Sequence, residues 1–136
     1  MSCNSAIYTV NNTGTAITVT DPQFVQVPFG SVIRRFGKAL SLDGGSIVCC
    51  GSGYFDCDVL LNMTPTATGP VTAQLYQDGV AVPGATVTVQ GTAAAPMVLP
   101  VKALVRNCGC DCNSVLTVRV NASGTINNLS AVVEKL

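Results

Sequence analysis

The densest chemistry in the sequence is the run "RNCGCDCNS", residues 106–114, in which Cys108, Cys110 and Cys112 occupy alternate positions. Thiols in that pattern suit a metal cage, a redox centre, or structural cysteines that are buried or disulfide-linked. In a straight strand the three side chains point the same way, with consecutive Cα atoms about 6.6 Å apart. Parallel vectors at that distance are poorly placed to bridge one another, because disulfides need converging Cβ vectors and Cα atoms roughly 5.5–6 Å apart. Partners must come from elsewhere, and Cys49 and Cys50, at the end of another apolar run, are the candidates to meet the 108–112 loop. Zinc asks for about four Cys or His ligands. The chain has no histidine and no Cys-x-x-Cys pair, which disfavours a site within one chain, although a trimer could pool thiols around its axis. Seven cysteines leave an odd one. Structural packing or late disulfides therefore rank first, metal second and redox catalysis last, and no metal site is assigned.

Asp56 and Asp58 are the only close carboxylates. On one face of a strand they stand about 6.6 Å apart, a spacing found in inverting glycosidases. Two carboxylates on the polar face of a strand are more commonly solvated or paired with arginine. Histidine is absent, and neither a Gly-x-Ser-x-Gly elbow nor a Ser/Lys motif replaces it. No catalytic residue is assigned, and the protein is not expected to be an enzyme. A hard cation at the two aspartates would need further oxygens from neighbouring loops or chains. The glycine-rich "SLDGGSIV" lacks the lysine and following helix of a phosphate-binding loop and reads as a β-turn, so no cofactor is expected. Tyr8, Tyr54, Phe55 and Tyr76 read as core or interface packing. Arg34 and Arg35 alternate in direction, so that one could cross a subunit contact while the other stays wet.

The elements that must position these residues are strands. At 136 residues the chain is one domain's worth, read as a single unit over 1–136. Hydrophobic residues make up 48% and charged residues 10%, which leaves Thr, Ser, Asn and Gln to build the wet surface. Seven basic residues balance seven acidic ones with no basic run, so nucleic-acid binding is not expected. No apolar run reaches membrane-spanning length. The N-terminus has neither the basic nor the apolar region of a secretory signal, which predicts synthesis in a cytosol and no membrane insertion. Period-two alternation runs through almost every segment. Phe55, Cys57, Val59, Leu61 and Met63 share one face of a strand whose other face carries Tyr54, Asp56, Asp58, Leu60 and Asn62. Cys57 is thereby read as a buried, inert thiol. Val71, Ala73 and Leu75 lead to the tight turn Asp78-Gly79, and Pro83-Gly84 reads as a second turn. Leu99, Val101, Ala103 and Val105, then Leu116, Val118 and Val120, and finally Leu129, Ala131 and Val133 give three more inward faces. Roughly eight to ten strands with no helix predict an all-β, two-sheet jelly-roll sandwich.

The start Gly53-Tyr54-Phe55, its alternating strand and "VTAQLYQDG" resemble the centre of the tumour necrosis factor-like and complement-head-like jelly rolls, and the order of strands and the apolar final strand fit as well. More closely, "MSCNSAIYTVNNT", "GSVIRRFG", "GYFDCDV", "LYQDGVAVPGA", the cysteine-rich loop and the final "AVVEKL" resemble small proteins of bacteriophages and prophages of gut Firmicutes. The resemblance implies a homotrimeric jelly roll made in the bacterial cytoplasm and located in the virion. The chain departs from the animal families in showing no export signal and no collagen-like stalk.

Two functions follow from that resemblance. The first is a virion structural or decoration protein that contacts other virion proteins and a host-surface glycan or protein. The second is a bacterial surface or spore-coat adhesin head, which the missing export signal disfavours. The excess of apolar strand faces, with Leu60 and Leu104 opposite the core, asks for a cover, and the resemblance implies that a cyclic homotrimer supplies it. Binding is expected in loops at one end of the sandwich, with Asp43, Gly44, Thr66, Asp78 and Gly79 as candidates.

Overall fold

The structure, a computed structural model, describes residues 5–19, 24–107 and 113–136. It contains β1 (Ala6–Asn11), β2 (Thr15–Ile17), β3 (Val25–Val27), β4 (Ser31–Phe36), β5 (Leu40–Asp43), β6 (Ser46–Cys50), β7 (Gly53–Pro65), β8 (Gly69–Gln77), β9 (Val80–Gly91), β10 (Met97–Asn107), β11 (Asn113–Val120) and β12 (Gly124–Lys135). Two six-stranded antiparallel sheets result. The first runs β10-β7-β12-β1-β4 with β2 against β12, and the second runs β5-β6-β11-β8-β9 with β3 against β11. The crossovers between sheets, with β12 between β7 and β1 and β11 between β6 and β8, make the sandwich a jelly roll.

Register turns the alternation of single strands into a common core. Leu99, Leu61 and Leu129 stand side by side on β10, β7 and β12, with Val101, Val59 and Ala131 as the next inward row. Val27, Val118 and Leu75 form a matching row on the second sheet. All nine are buried. Side chains inward from both sheets fill the space between the layers, as packing of two sheets about 10 Å apart requires.

Three departures from the sequence reading have local causes. Twelve strands form among the described residues instead of eight to ten, since β2 and β3 pair over only three residues each and β5, the short "LSLD", pairs with β6 through a turn at Gly44 and Gly45. Residues 44 and 45 both have positive φ, 57° and 85°, which glycine adopts without strain. Pro83-Gly84 is not a turn. β9 continues through it as a bulge, Gln74 facing Thr86 while Tyr76 faces Ala81, and Gly84 takes a φ of 80° at the bend. Finally, β4 is exposed along its whole length, so Val32, Ile33 and Phe36 are apolar residues on an open edge.

Candidate functional site

The outward face of the first sheet differs in kind from that of the second. Across β10, β7, β12, β1 and β4 one outward row reads Leu104, Asp56, Glu134, Ala6 and Phe36, and the next reads Lys102, Asp58, Val132, Tyr8 and Arg34. A third carries Pro100, Leu60, Ser130 and Val10. Leu104 is 56% exposed, Leu60 41% and Phe36 61%, with Tyr54 and Val98 similarly open. An apolar depression of about 200 Å³ is sunk into this face, lined by Ala6, Ile7, Tyr8, Arg34, Arg35, Phe36 and Val132. Arg35 turns away from the face and donates from Nε to the carbonyl of Leu40 at 2.6 Å, while Arg34 stays opposite Tyr8. The predicted alternation of the two arginines is therefore visible in their partners.

On the second sheet the outward side chains are mainly Thr and Gln. Thr72 and Thr88 share a hydrogen bond of 2.8 Å across β8 and β9, and the Gln74 amide donates to the carbonyls of Leu75 and Val82. Arg119 stacks 4.3 Å from the centre of the Tyr76 ring, against which Phe24 packs edge-on. These groups satisfy one another. The second sheet exposes Val80 and Val115, fewer large apolar side chains than the first sheet leaves in water.

The five loop candidates do not converge. Thr66 precedes β8 and Asp78-Gly79 follow it, so nine residues of extended strand, about 30 Å at the usual rise, hold them at opposite ends of the sandwich. Thr66 lines a cavity of about 200 Å³ with Thr68, Gly69, Ala122 and Ser123, and its hydroxyl donates to the Ser123 carbonyl. Asp78 holds a turn. Its φ is 53°, and its Oδ1 accepts from the Val115 backbone N–H at 2.9 Å. Asp43 and Gly44 form the β5–β6 turn, tied to β3's exit by the Phe29 N–H donating to the Gly45 carbonyl.

Of the cysteine candidates, Cys108, Cys110 and Cys112 lie outside the described residues. Their flanks are informative. Asn113 pairs with Cys50 across β11 and β6, and Asn107 pairs with Gly53 across β10 and β7. Asn107 is buried, donates to the carbonyls of Cys49 and Gly51, and accepts from the Ser114 hydroxyl at 2.9 Å. This asparagine ties the end of β10 and the start of β11 to the β6–β7 turn. Cys49 and Cys57 are free and buried, and Cys50 is free and half-buried. Burial pushes the Cys49 thiol up to about 12, with Cys50 and Asp78 adding to it, and burial likewise raises Cys57. Both are packing residues at neutral pH. Among the described residues no group of three or more His, Cys, Asp or Glu side chains is placed to hold a metal.

Sequence reasoning missed a further cavity. It lies where β1 ends, about 530 Å³ in volume, between residues 10–15 and 28–33. Its signal was the alternation Ile7, Thr9, Asn11, which puts a polar asparagine at an inward position.

No family model matches the chain, and no curated protein matches it by sequence. Solved structures match it over nearly its whole length. The fold they define is the tumour necrosis factor-like jelly roll. Murine APRIL, from a crystal structure at pH 5.0, superposes with a TM-score of 0.73 at 12% identity, covering 98% of this chain and 99% of that one. PRD1 vertex protein P5 superposes at 0.67 and 13% identity over 100% and 99%. The globular domain of zebrafish complement 1qA protein gives 0.68 at 10% over 98% and 96%. At such identities the likeness is one of fold. No helix among the described residues is long and apolar enough to cross a membrane.

Proposed function

We propose that the chain, acting as one domain over residues 1–136, is a non-enzymatic structural or decoration protein of a phage or prophage virion. It works as a homotrimer in which the first sheet's outward face, from β10 across β7 and β12, surrounds the three-fold axis and leaves the end of β1 at Val10 and the start of β4 at Ser31 open. The observation that carries this reading is the asymmetry of the two sheets, with Tyr54, Leu60, Val98, Leu104 and Phe36 exposed on the first against Val80 and Val115 on the second, where Thr72, Thr88 and Gln74 are hydrogen-bonded. Covering the first face three times over buries apolar surface that a lone chain would leave wet, and an obligate contact of this kind exceeds about 1,000 Å². The likeness in fold to PRD1 vertex protein P5, a phage protein, supports the virion setting. The sandwich end carrying Thr66 faces a host-surface glycan or protein, and weak single contacts are multiplied by three-fold display. Asp78 and Gly79, at the opposite end, serve the turn. Light scattering combined with mass spectrometry of purified particles tests the proposal. A species of three times the 13.9 kDa chain mass, and the chain's peptides in particles, are expected. A monomer at micromolar concentration, or particles devoid of the chain, would overturn it.

A further inference from the structure

The cavity beside β1 is built from a buried anchor outward. Asn11 is 4% exposed. Its Nδ2 donates to the Pro28 carbonyl at 3.0 Å and to the Thr15 hydroxyl at 3.3 Å, while its Oδ1 accepts from the Thr13 hydroxyl at 3.0 Å. One side chain thus ties the β1–β2 turn to the segment that enters β4. Gly30, at a φ of 91°, lets that segment press against β1, since a Cβ there would overlap the Val10 carbonyl and approach the Asn11 Cα to 2.7 Å. The site is therefore formed before any ligand arrives, which removes part of the ordering cost of binding.

Its lining has a definite chemistry. Val10, Pro28 and Ile33 supply apolar surface, and Asn12, Thr13, Thr15 and Ser31 supply one amide and three hydroxyls. No lining residue is charged or aromatic. Asn12 and Ser31 make no side-chain hydrogen bond among the described residues, so their donors and acceptors are open to a ligand. A volume of about 530 Å³ falls within the roughly 300–1,000 Å³ of small-molecule sites. An anion would find no cation here, and a flat apolar ligand would leave the hydroxyls unpaired. A ring with one apolar face and several equatorial hydroxyls fits both halves of the lining.

We infer that this cavity binds a single neutral pyranose residue, with Asn12 and Ser31 hydrogen-bonding its hydroxyls and Val10, Pro28 and Ile33 against its apolar face. The inference rests on the proposed attachment role only for the source of the sugar, a host-surface polysaccharide.

Methyl-labelled protein, titrated with neutral methyl pyranosides (glucoside, galactoside, rhamnoside and N-acetylglucosaminide) at millimolar concentrations, reports through the Val10 and Ile33 methyl signals. At least one neutral glycoside should shift both saturably, and methyl glucuronoside should shift them less. Ser31→Phe, which fills the cavity from an exposed strand position, should weaken binding at least tenfold. Asn12→Ala should weaken it several-fold and provides the same reading if the larger substitution misfolds. No response to any neutral glycoside, an equal response to the glucuronoside, or unchanged binding in both variants overturns the inference. Light scattering on the same samples separates this failure from failure of the trimer.

Discussion

Replacing Leu104 by glutamate places a carboxylate on the first sheet's outward face without touching the core. Leu104 is 56% exposed in the isolated chain and stands opposite Asp56 on the neighbouring strand. Within one chain the change costs under about 1 kcal/mol, the scale of a like-charge cross-strand pair. In the trimer the cost is larger. Fully burying a leucine contributes about 1.5–3 kcal/mol, so the half still exposed represents on the order of 1 kcal/mol per copy. An unpaired charge forced into the contact adds roughly 3–5 kcal/mol. The combined loss of about 5 kcal/mol per contact corresponds to between a thousandfold and ten-thousandfold weakening. Light scattering at micromolar concentration should therefore show three chains for the wild type and one for Leu104→Glu, with the variant's monomer still folded by circular dichroism. Thr86→Glu on the exposed outward face of the second sheet, opposite Gln74, should leave the assembly intact. A trimeric Leu104→Glu, or equal dissociation of Thr86→Glu, would refute the assignment of the axis to the first sheet.

Three further outcomes are expected. The buried thiols of Cys49 and Cys57 keep their protons in the folded chain to higher pH than in the unfolded one, where they titrate near 9. Stability is thus unaffected below pH 9 and falls between pH 9 and about 12, by at most about 1.4 kcal/mol per pH unit per thiol. Urea titrations across that range check this, and iodoacetamide at pH 8 should reach the two thiols only on unfolding. Asn107→Ala removes the donor to the Cys49 and Gly51 carbonyls and the acceptor of the Ser114 hydroxyl, which should cost about 1–3 kcal/mol for each buried group left unpaired, read from the urea midpoint. Asp78→Ala loses the bond from the Val115 N–H and puts alanine at a φ of 53°. About 1–2 kcal/mol should be lost in the same titration, with Asp78→Asn closer to wild type because asparagine tolerates that conformation.

The inward faces were legible in the sequence because a period of two is a property of each strand alone. Phe55 to Met63, Leu99 to Val105 and Leu129 to Val133 needed no partner to be read, and all but Ala103, half-buried on β10, are buried. The candidate loops were legible as turns and not as a cluster, since Thr66 and Asp78 are adjacent in the list of turns yet lie at the two ends of one strand. Pro83-Gly84 read as a turn because the same residues serve a bulge, and only the strand opposite distinguishes the two.

The cysteine run shows the same division. Spacing alone predicts that Cys108, Cys110 and Cys112, if extended, are poor partners for one another, and alternation alone put Cys57 in the core. Only the tertiary structure put Asn107 and Asn113 against the β6–β7 turn, and only it made Asn11 the pin between β1 and the entry to β4. Sequence by itself determined which side of each strand is dry, because that depends on neighbours two residues away. The tertiary structure decided which dry and wet sides meet, because strand order and register join residues more than fifty positions apart, and no local period encodes them.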